Sequence, residues 1–201
     1  MKLSGARLGF LIMLKCDGLA DAVPIRPLLP GLSNEEGMPE LRLSLLGPIA
    51  ITLNGEPFSG IRLRPTLALW IYLACQPERH RREQLMALLW PDWPQASAQQ
   101  NLRQNLYVLR QALPEIDSHN GGPVPVVLAD RDTLQLNLEA AVEVDVLRFV
   151  RLLDHPQPAP LQLAEAVALY RGDFLADFYL PDSEAFEERV EARRAELRRM
   201  K

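Results

Sequence analysis

The stretch from Leu88 to Pro114, LLWPDWPQASAQQNLRQNLYVLRQALP, decides how the rest of the chain is read. Leu102, Leu106, Leu109 and Leu113 recur at i, i+4, i+7 and i+11, which places them on one narrow helical stripe. Pro114 closes this helix, and Ser97-Ala98-Gln99-Gln100 has the form of a capping box at its start. Its other side carries Gln100, Arg103, Gln104, Tyr107, Arg110 and Gln111, with no acidic residue between Ser97 and Leu113. Arginine and glutamine read guanine and adenine edges in the major groove by paired hydrogen bonds, and both reach phosphates. These six are candidate DNA contacts; an ordinary solvated face is the competing reading.

Working outward, Leu85, Leu88 and Leu89 lie on one side of a second helix at about Arg81 to Trp90, which Pro91-Asp92-Trp93-Pro94 stops. A first helix opens at Arg64-Pro65-Thr66, carries Leu67, Trp70, Ile71 and Ala74 at helical spacing, and ends at Gln76-Pro77. Before it, Leu41, Leu43 and Leu45, then Ile49, Ile51 and Leu53, alternate at the period of strands, with Gly47-Pro48 and Asn54-Gly55 as turns. Downstream, Val126 to Ala129 and Thr133 to Leu138 flank Asp130-Arg131-Asp132 as a hairpin. Strands, three helices and a hairpin make the order of a winged helix-turn-helix, an α+β fold whose third helix enters the major groove. Arg131 would then lie on the wing, against the backbone or the minor groove, although it also balances Asp130 and Asp132. Arg62, Arg64, Arg81 and Arg82 are candidates for flanking phosphates.

Residues 41–200 resemble the Streptomyces antibiotic regulatory protein (SARP) type of transcriptional activator, an OmpR-type winged helix followed by a bacterial transcriptional activator domain. The resemblance rests on Leu41-Arg42-Leu43-Ser44-Leu45-Leu46-Gly47-Pro48, on Arg82-Glu83-Gln84-Leu85 through Leu89-Trp90-Pro91-Asp92, and on Asn101-Leu102-Arg103-Gln104 through Val108-Leu109-Arg110-Gln111-Ala112-Leu113. Leu-Trp-Pro-Asp followed by Leu-Arg-x-x-Leu-x-x-Leu-Arg is specific as a combination, whereas each piece alone is weak. Two departures stand out. Arg81 occupies a position where the family often has a small hydroxyl cap, and Asp130-Arg131-Asp132-Thr133 replaces the Gly-Tyr pair of many OmpR-type hairpins.

Residues 141–201 read as helical and acidic. Val144-Asp145-Val146-Leu147-Arg148-Phe149-Val150 has the pattern of a capped amphipathic helix, ended by Pro156, Pro158 and Pro160. Leu161, Ala164, Val167, Ala168 and Tyr170 follow at helical spacing to a stop at Arg171-Gly172. Ala168-Leu169-Tyr170-Arg171-Gly172-Asp173-Phe174-Leu175 resembles the start of the family's tetratricopeptide-like activator domain. A further helix from Asp182-Ser183-Glu184 to Lys201 turns Phe186, Val190 and Leu197 inward, and its charges, Glu187 and Glu191 against Arg194 and Arg198, read as a solvated face. One pair of helices is too little for a stacked repeat domain, so further chain or a partner is expected to complete it. The resemblance implies that relatives use this region to meet RNA polymerase or a second protomer.

Residues 1–39 hold Pro24, Pro27, Pro30 and Pro39 and read as an irregular extension, with Met38 an alternative start. Residues 40–140 are the winged-helix part. Lys2 and Arg7 precede a short apolar run from Leu8 to Leu14, but no small-residue cleavage site follows and the run is too short to span a bilayer. Cys16 and Cys75 form no CxxC, and His80, His119 and His155 are scattered, so no zinc site, cofactor or enzyme is expected, and His80 reads as a surface residue among arginines. A phosphate-binding GxxxxGK[ST] is absent and Asp173, Asp177 and Asp182 lack calcium-loop spacing. A cytoplasmic location fits.

The charge of −4 over 201 residues, with a pI near 5.5, argues at first against nucleic acid. Divided, it argues otherwise. Residues 41–114 carry 8 basic and 4 acidic side chains, whereas residues 115–201 carry 10 and 17. The chain thus combines a basic head of net +4 with an acidic tail of net −7, and the sign changes where the third helix ends. The expectation is sequence-specific binding to double-stranded DNA by a bacterial transcription regulator. The alternative is a protein-interaction scaffold working through the acidic tail.

Overall fold

A computed structural model describes residues 40–118, 121–154 and 157–201. The expected extension at residues 1–39, with Met38 and Cys16, and His119, His155 and Pro156 lie outside the described residues.

The alternating leucines form β1 (Leu41–Ser44), which pairs antiparallel with β2 (Ala50–Leu53), Leu43 opposite Ile51. Asn54 and Gly55 both take positive φ, 55° and 83°, the geometry of a two-residue hairpin turn, and lead into β3 (Glu56–Pro57). Three helices follow: α1 (Arg64–Cys75), α2 (Arg82–Leu89) and α3 (Gln95–Ala112), with a short strand β4 (His80–Arg81) between the first two. Pro65 sits in the first turn of α1, where its missing N–H breaks no helical bond. Arg81 is the N-cap of α2, and its backbone N–H donates to Gln84 Oε1 at 3.1 Å. Ser97 is not a cap: α3 starts two residues earlier, with Pro94 in extended geometry as its N-cap, so Ser97 lies inside the first turn.

After α3 come β5 (Ile116–Asp117) and β6 (Pro123–Val124), a small hairpin, then β7 (Val127–Ala129) and β8 (Thr133–Leu136). These last two pair antiparallel around Asp130–Asp132, and β4 adds to β8, giving a three-stranded sheet in the order β4-β8-β7. The chain then returns through β9 (Val142–Val144), which lies parallel to β1 and completes a four-stranded sheet. The tail forms α4 (Asp145–Leu153), α5 (Pro160–Leu169) and α6 (Glu184–Met200).

One hydrophobic core runs through head and tail. It contains Leu41, Leu43, Trp70, Leu85, Leu102, Leu109, Leu134, Phe149, Phe174, Phe186 and Leu197, so the inward residues expected of the last helix are inward. Val144 is the N-cap of α4, and the carboxylate of Asp145, the first helical residue, is buried against the end of β1. The segment Arg171–Ala176 lies along Leu45–Gly47: Leu45 O accepts from Leu175 N, Leu46 O from Arg171 N, and Gly47 N donates to Asp173 O at 3.0 Å. Gly47 takes φ 123°, and a Cβ there would stand 3.3 Å from that of Arg171, so glycine is needed on both conformational and steric grounds. Helix α5 behaves differently: only Ala166 is buried, and Leu161 and Val167 are 80% and 71% exposed. His80 departs from its expected place on the surface. It is buried, with Nε2 2.7 Å from Gln76 O and its ring against Tyr72, because β4 turns it inward while Arg81 points out.

Candidate nucleic-acid interface

The leucine stripe of α3 is buried at all four positions, with Ala98 and Asn105 beside it. Asn105 fixes the helix by a polar tie: Thr66 Oγ1 on α1 donates to Asn105 Oδ1 at 2.6 Å, and Asn105 Nδ2 donates to Asn101 O at 2.9 Å. Burying that side turns the other outward. Gln100, Arg103, Gln104, Tyr107, Arg110 and Gln111 are all exposed, Tyr107 at 61%. At 100° per residue they span an arc of about 120°. Among the described residues none of the six takes part in a side-chain hydrogen bond or ion pair, so their donors and acceptors are available to a ligand.

The flanking arginines are used unequally. Arg62 is exposed in the loop before α1. Arg64 is engaged by the tail: Nη1 donates to Tyr179 O at 2.7 Å and its guanidinium lies 5.9 Å from the Phe178 ring centroid. Its role here is to dock residues 178–180. Arg81 is exposed on β4, opposite Thr133. Arg82 reaches across to the hairpin, with Nε and Nη2 donating to Asp130 O at 3.3 and 2.8 Å. Arg131 is exposed at the hairpin tip and has no hydrogen-bond or ion-pair partner among the described residues. Strand pairing thus brings the adjacent Arg81 and Arg82 to the same turn as Arg131, which is distant from them in sequence.

Arg79, which sequence reasoning did not single out, belongs to the same group; it is exposed and its Nε donates to Gln135 Oε1 on β8. The available signal was its position in Arg79-His80-Arg81-Arg82, where the buried histidine gives the strand its register. The C-terminal end of α3 also meets the hairpin, since Arg110, Leu113 and Pro114 line one shallow cleft with Val126 and Val127. The turn itself is ordered from within. Asp130 Oδ1 accepts from the backbone of Asp132 and Thr133, and Oδ2 from Thr133 Oγ1, holding the Asp130 carboxyl below its usual range.

Among the described residues no group of three or more His, Cys, Asp or Glu is placed to hold a metal ion, and no helix is long and apolar enough to cross a membrane. Burial pushes the Cys75 thiol up to about 12, leaving it protonated and unreactive at neutral pH.

No family model matches the chain, and no curated protein does. Among solved structures it is similar to EmbR of Mycobacterium tuberculosis, determined in complex with a low affinity phosphopeptide, at a TM-score of 0.60 and 21% identity. The match covers 81% of this chain and 44% of that one, so the chain spans less than half the length of that neighbour. The likeness is one of fold, mixed α+β with small sheets.

Proposed function

We propose that this chain regulates transcription by binding duplex DNA sequence-specifically through a winged helix-turn-helix, in the manner of a SARP-type activator. Helix α3 is the reading helix, the β7–β8 hairpin is the wing, and the protein acts in the cytoplasm as a binding module, without catalysis of its own. The observation that carries this reading is the face of α3: six exposed side chains rich in arginine and glutamine, no acidic residue between Ser97 and Leu113, and a buried leucine stripe opposite. That chemistry suits base edges and phosphates together. Arg62, Arg81, Arg82 and Arg131 supply flanking backbone contacts. Residues 141–201 would carry contacts to RNA polymerase or a second protomer, and the exposed Leu161 and Val167 of α5 support a protein-facing role for that region.

Selection of bound duplexes from a random pool tests the proposal. Enrichment of a defined sequence is expected, and recovery of an unenriched pool would overturn it. The alternative, a protein-interaction scaffold using the acidic helical tail without direct DNA reading, is separated by duplex titration: duplex binding falls steeply with salt through counterion release, and a slope near zero would favour the scaffold.

A further inference from the structure

Residues Asp130 to Thr133 form a turn that is held from two sides while one of its side chains is left unused. From inside, the Asp130 carboxylate accepts three hydrogen bonds, from Asp132 N at 2.8 Å, Thr133 N at 2.6 Å and Thr133 Oγ1 at 2.8 Å, and its backbone N–H donates to Thr133 O at 3.1 Å. From outside, Arg82 grips the same turn: its guanidinium donates to Asp130 O and its backbone N–H to Asp132 O at 2.9 Å. Arg131 stands between these anchors, exposed, with no hydrogen-bond or ion-pair partner among the described residues.

We propose that Asp130 is a positioning residue whose carboxylate locks the hairpin turn so that Arg131 meets a phosphate of the DNA backbone. The inference rests on the duplex-binding reading above and adds to it a role for an acidic residue at an interface with a polyanion. By charge alone Asp130 opposes phosphate. Its three accepted hydrogen bonds give it a different function, because an arginine on a mobile tip loses rotamer and backbone freedom on every contact, and an arginine on a locked tip has already lost the backbone share. Asp132, one residue beyond Arg131, uses only its backbone in the turn, and its carboxylate has no hydrogen-bond or ion-pair partner among the described residues.

Position and charge are separable by substitution. Asp130→Ala and Asp130→Asn remove the same charge, but asparagine keeps an Oδ1 acceptor for the backbone N–H groups of Asp132 and Thr133. The experiment titrates the full chain with a labelled random-sequence duplex over a series of salt concentrations, with thermal unfolding of each variant in parallel. Arg131→Ala is expected to reduce the magnitude of the salt slope by about 1. Asp130→Ala is expected to lower affinity and shift the slope in the same direction, the double variant to bind no more weakly than Arg131→Ala alone, and Asp130→Asn to bind at least as tightly as the parent. Thr133→Val, which removes only the hydroxyl donor, is expected to fall between parent and Asp130→Ala. Tighter binding by both Asp130 variants would show a charge effect alone and overturn the inference, as would an Arg131→Ala variant indistinguishable from a parent that binds duplex. A parent whose binding does not respond to salt would overturn the duplex reading itself.

Discussion

The buried carboxylate of Asp145, at the start of α4, accepts the backbone N–H groups of both Leu45 and Leu46, at 2.8 and 2.9 Å. One side chain a hundred residues away thus finishes the strand that opens the fold. The same carboxylate lies 3.8 Å from Arg171, so the end of β1, the first turn of α4 and the segment after α5 converge on it. Asp145→Ala would leave two buried donors unsatisfied, each costing about 1–3 kcal/mol. Chemical denaturation is expected to show a loss of that order, and a much smaller one for Asp145→Asn, which keeps an acceptor.

Two aspartates should give opposite pH signatures. Burial raises the pKa of Asp145 against the N–H groups of Leu46 and Leu45. Its folded form therefore binds a proton more readily than the unfolded chain, and its contribution is fully present below the ordinary aspartate value of about 3.9 and lost as pH rises through the raised one. Asp173 is held down to about 2, first by its hydrogen bonds from Arg198 and then by Tyr170. Its contribution is present above the ordinary value and lost as pH falls towards 2. Melting temperatures across acid pH should show the penalty of Asp173→Asn growing as pH rises, while Asp145→Asn improves relative to the parent.

The tie between Thr66 and Asn105 sets how α3 lies on α1. Asn105→Ala leaves the fully buried Thr66 hydroxyl without its acceptor, which costs about 1–3 kcal/mol. It removes no candidate contact, so duplex affinity is expected to fall through displacement of the helix while the preferred sequence is retained. Unfolding and binding measured on the same variant check both parts.

Docking of the tail on the head is equally specific. Ser183 Oγ donates at 2.6 Å to Leu88 O, one of the last carbonyls of α2, which has no partner within its own helix. Ser183→Ala is expected to destabilise the chain by about 1–3 kcal/mol in denaturant titration. Loss of Arg64, which holds Tyr179 O and the Phe178 ring, should act on stability as well as on any phosphate contact.

Periodicity made the three helices of the head, the leucine stripe and the β7–β8 hairpin legible, because Leu102, Leu106, Leu109 and Leu113 repeat over three turns. It failed where an element is short or its partner distant. β4 has two residues and β9 three, too short a run for a period to stand out even though Val142-Glu143-Val144 alternates; each is a strand because β8 or β1 pairs with it. His80 read as exposed because arginines surround it, yet strand geometry places neighbours on opposite faces. Ser97 has the chemistry of a cap, but Pro94 takes that place first. In the candidate interface, residue type was legible and occupancy was not: no pattern in the sequence shows that Arg64 is committed to Tyr179 or that Arg82 grips Asp130. The exposure of α5 is of the same kind, since helical spacing of Leu161 and Val167 does not say what, if anything, lies against them.

The central claim is that α3 reads DNA, and the most direct measurement is the affinity of the parent and of Arg103→Ala for a selected duplex across a salt series. For the parent, log affinity is expected to fall with log salt at about −0.9 per phosphate neutralised. Arg103→Ala is expected to lose about 1–3 kcal/mol and relax the preference at the base it contacts, or, if Arg103 meets a phosphate, to weaken all sequences alike and flatten the slope by about 1. A parent slope near zero, or an Arg103→Ala variant with unchanged affinity, slope and preference, would contradict it.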